Sequence, residues 1–505
     1  MKKTQNSKKD NMFDNNEEWM VSNFSADNLN SQVERIKLED KFASITEITD
    51  KFNRKSVSFQ LSKNGKLHRW LKYKEGFSSD LVNTLIKEFS IYEGDTILDP
   101  FLGSGTTSFV ASLKGINSIG FDILPISKVS VEAKKAMFNY DVLELKKALE
   151  DIKNIAIPET YKKRVNSIRI TDNAYPHNTE IEISFFSEYF SSSTYSTELK
   201  NLLLLCILNS LEKVSYSAKD GQYLRWDYRC PKIIQAEKHR LEAGKKPFVT
   251  KLDKGVLPSL RSVLISEMTA LISDIEEIQL ESDDLFINSR IDFITGNALF
   301  EMPKFESNII NGVITSPPYC NRYDYTRTYA LELVYLGVDE HGIRNLRQEL
   351  LSCTVESKSK IEKLKEHYTK LNKVSDFEKI YSIIKNNATL NEINVSLIKR
   401  SENGDINNKG VLKMVDGYFT ELTFIFAELF RLCKSGSFVA FVNDNVRYGG
   451  EVIPVDFLSS ELAESIGFIP VKIYTLKQLK GNSSQQMAKY GRIPLRKSIT
   501  IWKKP

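Results

Sequence analysis

The stretch Asp99-Pro-Phe-Leu-Gly-Ser-Gly-Thr-Thr107 constrains this chain more than any other. An apolar run, Thr96-Ile-Leu98, leads into it, and Ser108-Phe-Val-Ala-Ser-Leu113 leaves it with helical character. Strand, glycine turn and helix in succession make the first unit of a parallel α/β sheet. Gly103 and Gly105 let backbone come close to a ligand where a Cβ would intrude. Asp99 puts a carboxylate at the carboxyl end of the strand, where open α/β sheets bind ligands. A second acid, Asp122, closes the run Ser118-Ile-Gly-Phe-Asp122, 23 residues further on. That is near the spacing of about 20 at which a ribose-binding acid is expected. No Gly-Lys-Ser/Thr follows, so a phosphate loop is excluded, and the third glycine of a dinucleotide fingerprint is missing.

A second motif stands far downstream. Thr315-Ser-Pro-Pro-Tyr319 follows another apolar strand, Gly312-Val-Ile314. With both motifs in view the chain resembles the AdoMet-dependent DNA amino-methyltransferases, which methylate an exocyclic base nitrogen. The resemblance covers about 78–138, 290–338 and 411–503. It implies a Rossmann-like, doubly wound α/β sheet, S-adenosyl-L-methionine as cofactor, double-stranded DNA as partner, and a cognate restriction endonuclease or another role in defence against invading DNA. Asp99, Pro100, Phe101, Gly103, Ser104, Gly105 and Thr106 match the family's cofactor motif. Phe77 and Ser78 stand where a Phe-containing segment lines the cofactor's methionine end. Asp99 is expected near the methionine amino group and Asp122 at the ribose hydroxyls. Asn297 occupies a place where the family often has an acid that meets the adenine amino group. This is a departure, although an amide oxygen can also accept that bond.

The catalytic motif suits the chemistry the resemblance implies. An exocyclic amine is a poor nucleophile because its lone pair is delocalised into the ring. Ser316 and the Pro317 carbonyl can accept its two N–H bonds and draw the nitrogen toward sp³. Pro317 and Pro318 stiffen the loop. Tyr319 can stack on a base swung out of the duplex. Adenine-N6 members of the family mostly carry Asp or Asn before Pro-Pro-Tyr, whereas Ser is typical of cytosine-N4 members, so Ser316 points to cytosine N4 with adenine N6 as the alternative. Cys320 lacks the Pro-Cys context of ring-carbon methylating enzymes and reads as a packing residue. A methyltransferase for RNA or protein amides, and a silent DNA-binding subunit, are the competing readings.

At 505 residues two or three domains are expected. The net charge of +5 permits a nucleic-acid partner without demanding one. The cysteines, Cys206, Cys230, Cys320, Cys353 and Cys433, have no metal-ligand spacing, and the histidines form no cluster, so no metal is expected. Free thiols, a polar N-terminus without a signal-peptide core and no apolar run of about 18 residues suggest a cytoplasmic protein without a membrane span.

Residues 1–66 read as a lead-in whose first 18 residues are disordered, and 67–140 as the cofactor-binding half. The next core strand is Arg290-Ile-Asp-Phe-Ile-Thr295. From Asp122 to Asp292 is 170 residues, where a βαβ unit needs about 30. An insertion therefore spans 141–289. Between Lys219 and Lys254 it carries ten Lys or Arg against five acids, interleaved with Tyr223, Trp226 and Tyr228. Cations for phosphates and flat rings for stacking suit a nucleic-acid surface, with Arg225, Trp226, Arg229, Lys245 and Lys246 as candidates; a solvated helical face is the rival reading. Arg322, just past the catalytic loop, is a further DNA-binding candidate. The catalytic half spans 290–336. A second, Lys-rich insertion at 337–410, helical from Ser357 to about Lys385, reads as solvated helix faces or as a recognition region. The sheet resumes over 411–505, with a helix capped by Asp416, strands at Ser437–Val442, Pro470–Leu476 and Ser498–Trp502, and a polar loop from Gly481 to Arg496.

Overall fold

The computed structural model describes residues 20–21, 23–27, 29–220, 223–248, 251–281, 284–477, 488–491 and 493–505. The expected disorder of residues 1–18 lies outside the described residues, as do residues 481–487 and 492 of the loop from Gly481 to Arg496. Eight strands form one sheet: β1 (Thr46–Thr49), β2 (Thr96–Asp99), β3 (Asn117–Asp122), β4 (Ile291–Thr295), β5 (Ile310–Thr315), β6 (Cys433–Asp444), β7 (Ile469–Leu476) and β8 (Lys497–Lys503). Their spatial order is β1-β7-β8-β6-β5-β2-β3-β4. Only β8 runs antiparallel to its neighbours. This is the Rossmann-like doubly wound α/β fold.

The near-continuous apolar runs of the strands are explained by burial on both faces. Neighbouring residues point to opposite sides: Leu98, Val313, Val439 and Phe441 enter one core, while Ile97, Ile314, Ala440 and Val442 enter the other. The helix Ser79–Glu88 covers the second face, its Ser78 cap accepting from Leu81 N at 3.4 Å. The helices Gly410–Leu432 and Val455–Ile466 cover the first. After β2 the chain builds β3 and β4 outward on one side, then places β5 on the other side of β2. The carboxyl ends of β2 and β5 therefore flank the point where strand order reverses, which is where such sheets open a crevice.

Three local expectations change. Asp416 does not cap a helix. Gly410–Leu432 starts earlier because Val411, Met414 and Val415 continue the buried stripe, and Asp416 instead accepts from Asn394 Nδ2 at 2.9 Å. The stretch 357–385 is two helices, Ile361–Lys370 and Val374–Asn386, separated where Asn372 takes φ +57°. The lead-in contains a helix, Val33–Phe42, and edge strand β1, which is too short for its alternation to register in sequence.

The two insertions differ in burial. Helices from 361 to 402 send Leu364, Tyr368, Phe377, Ile380, Ile384, Leu390, Ile393 and Leu397 into the core beneath Gly410–Leu432. The first insertion packs Val142–Asn154, His177–Ser192, Thr197–Val214 and Leu260–Ile278 around its own core, which reaches Leu102 and Phe109 of the β2 turn. A hairpin, Ser217–Asp220 with Tyr223–Trp226, leads from that core to the helix Pro231–Glu242, none of whose side chains is buried.

Candidate active site

Asp99 ties the two motifs together. Its Oδ1 accepts from Thr315 Oγ1 at 2.7 Å and from Phe101 N at 3.0 Å, and its Oδ2 accepts from Thr107 Oγ1 at 2.9 Å. Burial pushes its carboxyl up to about 6, against the pull of these donors. Asp122 holds the other side of the turn, accepting from Gly103 N and Leu124 N, each at 2.8 Å. Burial raises it to about 6 as well, with Asp99 adding like charge as a lesser cause. Each carboxylate oxygen has capacity for more than one donor, so both acids keep acceptor sites toward the cleft.

The cleft is lined by Phe77, Asp99, Pro100, Phe101, Gly103, Ser104, Thr106, Asp122, Asn297, Ser316 and Pro318 among the residues named from sequence. Ser78 and Gly105 do not line it. Ser78 is buried as the cap of Ser79–Glu88. Gly105 has φ +90°, and a Cβ there would meet the Phe109 ring at 2.9 Å, so packing behind the turn requires the glycine. At Gly103, φ +56°, a Cβ would meet Cε1 of Tyr73 at 2.8 Å. Both glycines thus make room for aromatic rings of the protein, and Gly103 also lines the cleft. Asn297 caps a short helix through Leu299 N at 3.0 Å and donates to the Glu349 carbonyl at 2.6 Å, leaving its amide oxygen one further lone pair.

Other cleft residues gave no legible signal. Tyr73 and Tyr329 stack with centroids 5.3 Å apart, and Tyr329 donates to Glu75 Oε2 at 2.7 Å. Burial raises the Glu75 carboxyl. Tyr325, Leu350 and Leu351 close the cleft from the region after the catalytic motif. Behind the turn, buried Lys134 donates to the Ser104 carbonyl at 2.7 Å, and burial lowers its ammonium to about 7. Pairs so distant in sequence carry no spacing that would reveal them.

The loop after β5 carries Pro317 and Pro318 buried and Ser316 and Tyr319 half-buried. Ser316 Oγ lies 3.2 Å from the Tyr319 hydroxyl and 3.3 Å from the Val442 carbonyl. Directing its single proton at the carbonyl leaves its lone pairs for a donor. Cys320 is fully buried and burial raises its thiol, as a packing residue requires.

The residues named for DNA are brought only partly together. Arg229 forks onto buried Asp227, with Nε–Oδ1 at 2.7 Å and Nη2–Oδ2 at 2.8 Å, and holds that carboxyl well below the usual range. Two of its guanidinium nitrogens are therefore engaged within the protein, while the side chain stays 34% exposed. Trp226 is half-buried beneath the Lys232 ammonium, 4.7 Å from its ring centroid. Lys219 pairs with Glu332 at 2.6 Å and Lys254 caps three backbone carbonyls, so these cations are structural too. Arg225, Lys245 and Lys246 are exposed. Arg322 sits in the left-handed region at φ +66°, half-buried, with an Nε that finds no hydrogen-bond partner among the described residues. Among the described residues no acidic, histidine or cysteine cluster could hold a metal ion, and no helix is long and apolar enough to cross a membrane.

The comparisons agree with this geometry. A family model described as DNA methylase matches residues 2–128. The chain is 56% identical to the type II methyltransferase M.BsoBI of Geobacillus stearothermophilus, over 97% of this chain and 95% of that protein. It is 39% identical to the type II methyltransferase M.AvaI of Anabaena variabilis, over 93% and 92% of the two chains. M.MjaII of Methanocaldococcus jannaschii, another type II methyltransferase, is 28% identical over 50% of this chain and 43% of that protein. A cleft shared by the two motifs, on this sheet and with relatives matched nearly end to end, means that the chain belongs to the AdoMet-dependent DNA amino-methyltransferase family, as a type II DNA methyltransferase.

Proposed function

We propose that this chain transfers a methyl group from S-adenosyl-L-methionine to the exocyclic N4 of cytosine at a specific sequence in double-stranded DNA, as the modification partner of a restriction endonuclease. Ser316 is the single observation that carries the base assignment: a hydroxyl, where the resembled adenine-N6 enzymes have Asp or Asn. Bound cofactor supplies an electrophilic methyl on a sulfonium. The residues present fit it, because two buried acids with spare lone pairs face a cleft otherwise lined by Phe77, Phe101 and Phe121. Asp99 and Asp122 would hold the methionine ammonium and the ribose hydroxyls, and Asn297 the adenine amine.

The catalytic steps follow from the loop. Ser316 Oγ and the Pro317 carbonyl accept the two N–H bonds of the target amine and lift its lone pair out of conjugation. Tyr319 stacks on the swung-out base and offsets part of the few kcal/mol of unstacking. The DNA surface is the first insertion's exposed basic end, Lys245 and Lys246, with Arg225 and Arg322 nearer the loop. The second insertion's apolar positions are taken up by the core, which favours the first as the reader of sequence.

Plasmid DNA treated with the purified protein and AdoMet, digested to nucleosides and analysed by mass spectrometry, is expected to contain N4-methylcytosine. N6-methyladenine in its place would overturn the base assignment and leave the family untouched.

A further inference from the structure

Lys497 opens β8, directly opposite Asp444 at the end of β6. It is 178 residues from Tyr319 in sequence, yet its ammonium lies 4.9 Å from the centroid of the Tyr319 ring. It also lies 3.4 Å from Asp444 Oδ1, with the lysine side chain 12% exposed and the aspartate 24%. That oxygen has no hydrogen bond to the described residues, so the ammonium is what balances it. Burial pulls the lysine's pKa down, but Asp444 and Tyr319 more than offset this and hold it above its ordinary value, so the charge is present throughout the working range.

We propose that Lys497 is a positioning residue for methyl transfer, clamping one face of the Tyr319 ring so that the other face receives the target base; this rests on the DNA-methylation reading above. A cation on an aromatic face is attracted by the ring's quadrupole, and more strongly when desolvated. Tyr319 is thereby held at two points, its hydroxyl by Ser316 and its face by Lys497. Both supports come from the β6–β8 end of the sheet, since Ser316 also bonds the Val442 carbonyl and Lys497 is paired with Asp444. A ring fixed in this way is stacked upon without first losing rotational freedom. The loss of the clamp should therefore appear in turnover and not in cofactor binding.

The test compares wild type, Lys497→Met, Lys497→Arg and Asp444→Asn, using tritiated AdoMet and unmethylated plasmid DNA. Lys497→Met keeps the stem and removes the charge. Its kcat is expected to fall about tenfold, with the AdoMet dissociation constant unchanged. Lys497→Arg, which restores a cation on the ring, is expected to recover most of that loss, a rescue that simple loss of packing would not show. Asp444→Asn loosens the clamp without touching the ring and should lower kcat less. Wild-type kcat in folded Lys497→Met, or in Asp444→Asn if the first variant fails to fold, overturns the proposal, as does an arginine variant no better than methionine. A wild-type protein that binds AdoMet but methylates no DNA would instead bring down the reading on which the proposal rests.

Discussion

Asp99 is a structural bolt as well as the proposed cofactor ligand. Three donors from the turn after β2, its following helix and β5 converge on it, so removing the carboxylate leaves the Thr315 hydroxyl and the Phe101 N–H without this acceptor and Thr107 with only the Ile314 carbonyl at 3.3 Å. Asp99→Ala is expected to abolish measurable AdoMet binding by calorimetry and to cost about 1–3 kcal/mol in urea unfolding. Gly103→Val is expected to impair binding by a different route, strain at φ +56° and displacement of the Tyr73 ring. The titration of the acids adds a signed prediction. Asp99 and Asp122 titrate near 6 when folded, above the ordinary 3.8. Between those values the folded state binds more protons than the unfolded, so their contribution to stability is present below about 4 and is lost as pH rises through about 6. If the two carboxylates hold AdoMet in ionised form, as proposed, its affinity moves oppositely, falling by about tenfold per pH unit below 6 for each acid that must ionise. Calorimetric titrations from pH 5 to 8 read the second trend directly.

At the scale of elements, composition and use part company within the first insertion. Its run of cations looks uniform in sequence, but Lys219, Arg229, Lys232 and Lys254 face inward partners while Lys245 and Lys246 do not. Replacing Lys245 and Lys246 by Gln is expected to weaken DNA binding and to flatten its log–log salt dependence by about 1–2 in slope, with AdoMet affinity retained. Arg229→Gln should behave differently. It leaves the buried Asp227 carboxylate without its guanidinium and is expected to lower the urea midpoint, with little change in salt slope. Fluorescence anisotropy across a salt series separates the two outcomes.

The whole molecule is closed by contacts between its ends. Arg35, Arg400 and Glu451 meet with all three side chains fully buried: Arg35 Nη1 lies 3.0 Å and Arg400 Nε 2.8 Å from the carboxylate. The cluster joins the N-terminal helix, the second insertion and the segment after β6. Glu451→Ala removes the carboxylate the two guanidinium groups share, leaving Arg35 to Glu392 and Arg400 to Asp27 and Asp405, and is expected to destabilise by about 1–3 kcal/mol, with the loss read as a lower urea midpoint.

The fold class and both halves of the cleft were legible from residues close together in the chain. A strand, a glycine turn and an acid are local, and so is a strand followed by Ser-Pro-Pro-Tyr, because backbone conformation and short-range periodicity are set by near neighbours. Local pattern also identified Asp99, Asp122, Ser316 and Tyr319 as residues at strand ends. What stood beside them was decided only in three dimensions. Tyr73 filling the space over Gly103, Lys497 on Tyr319, Asp227 consuming Arg229 and the core absorbing the second insertion are all contacts across long stretches of sequence. A charged residue reads the same whether its partner is water, phosphate or a buried carboxylate, and only packing chooses among them.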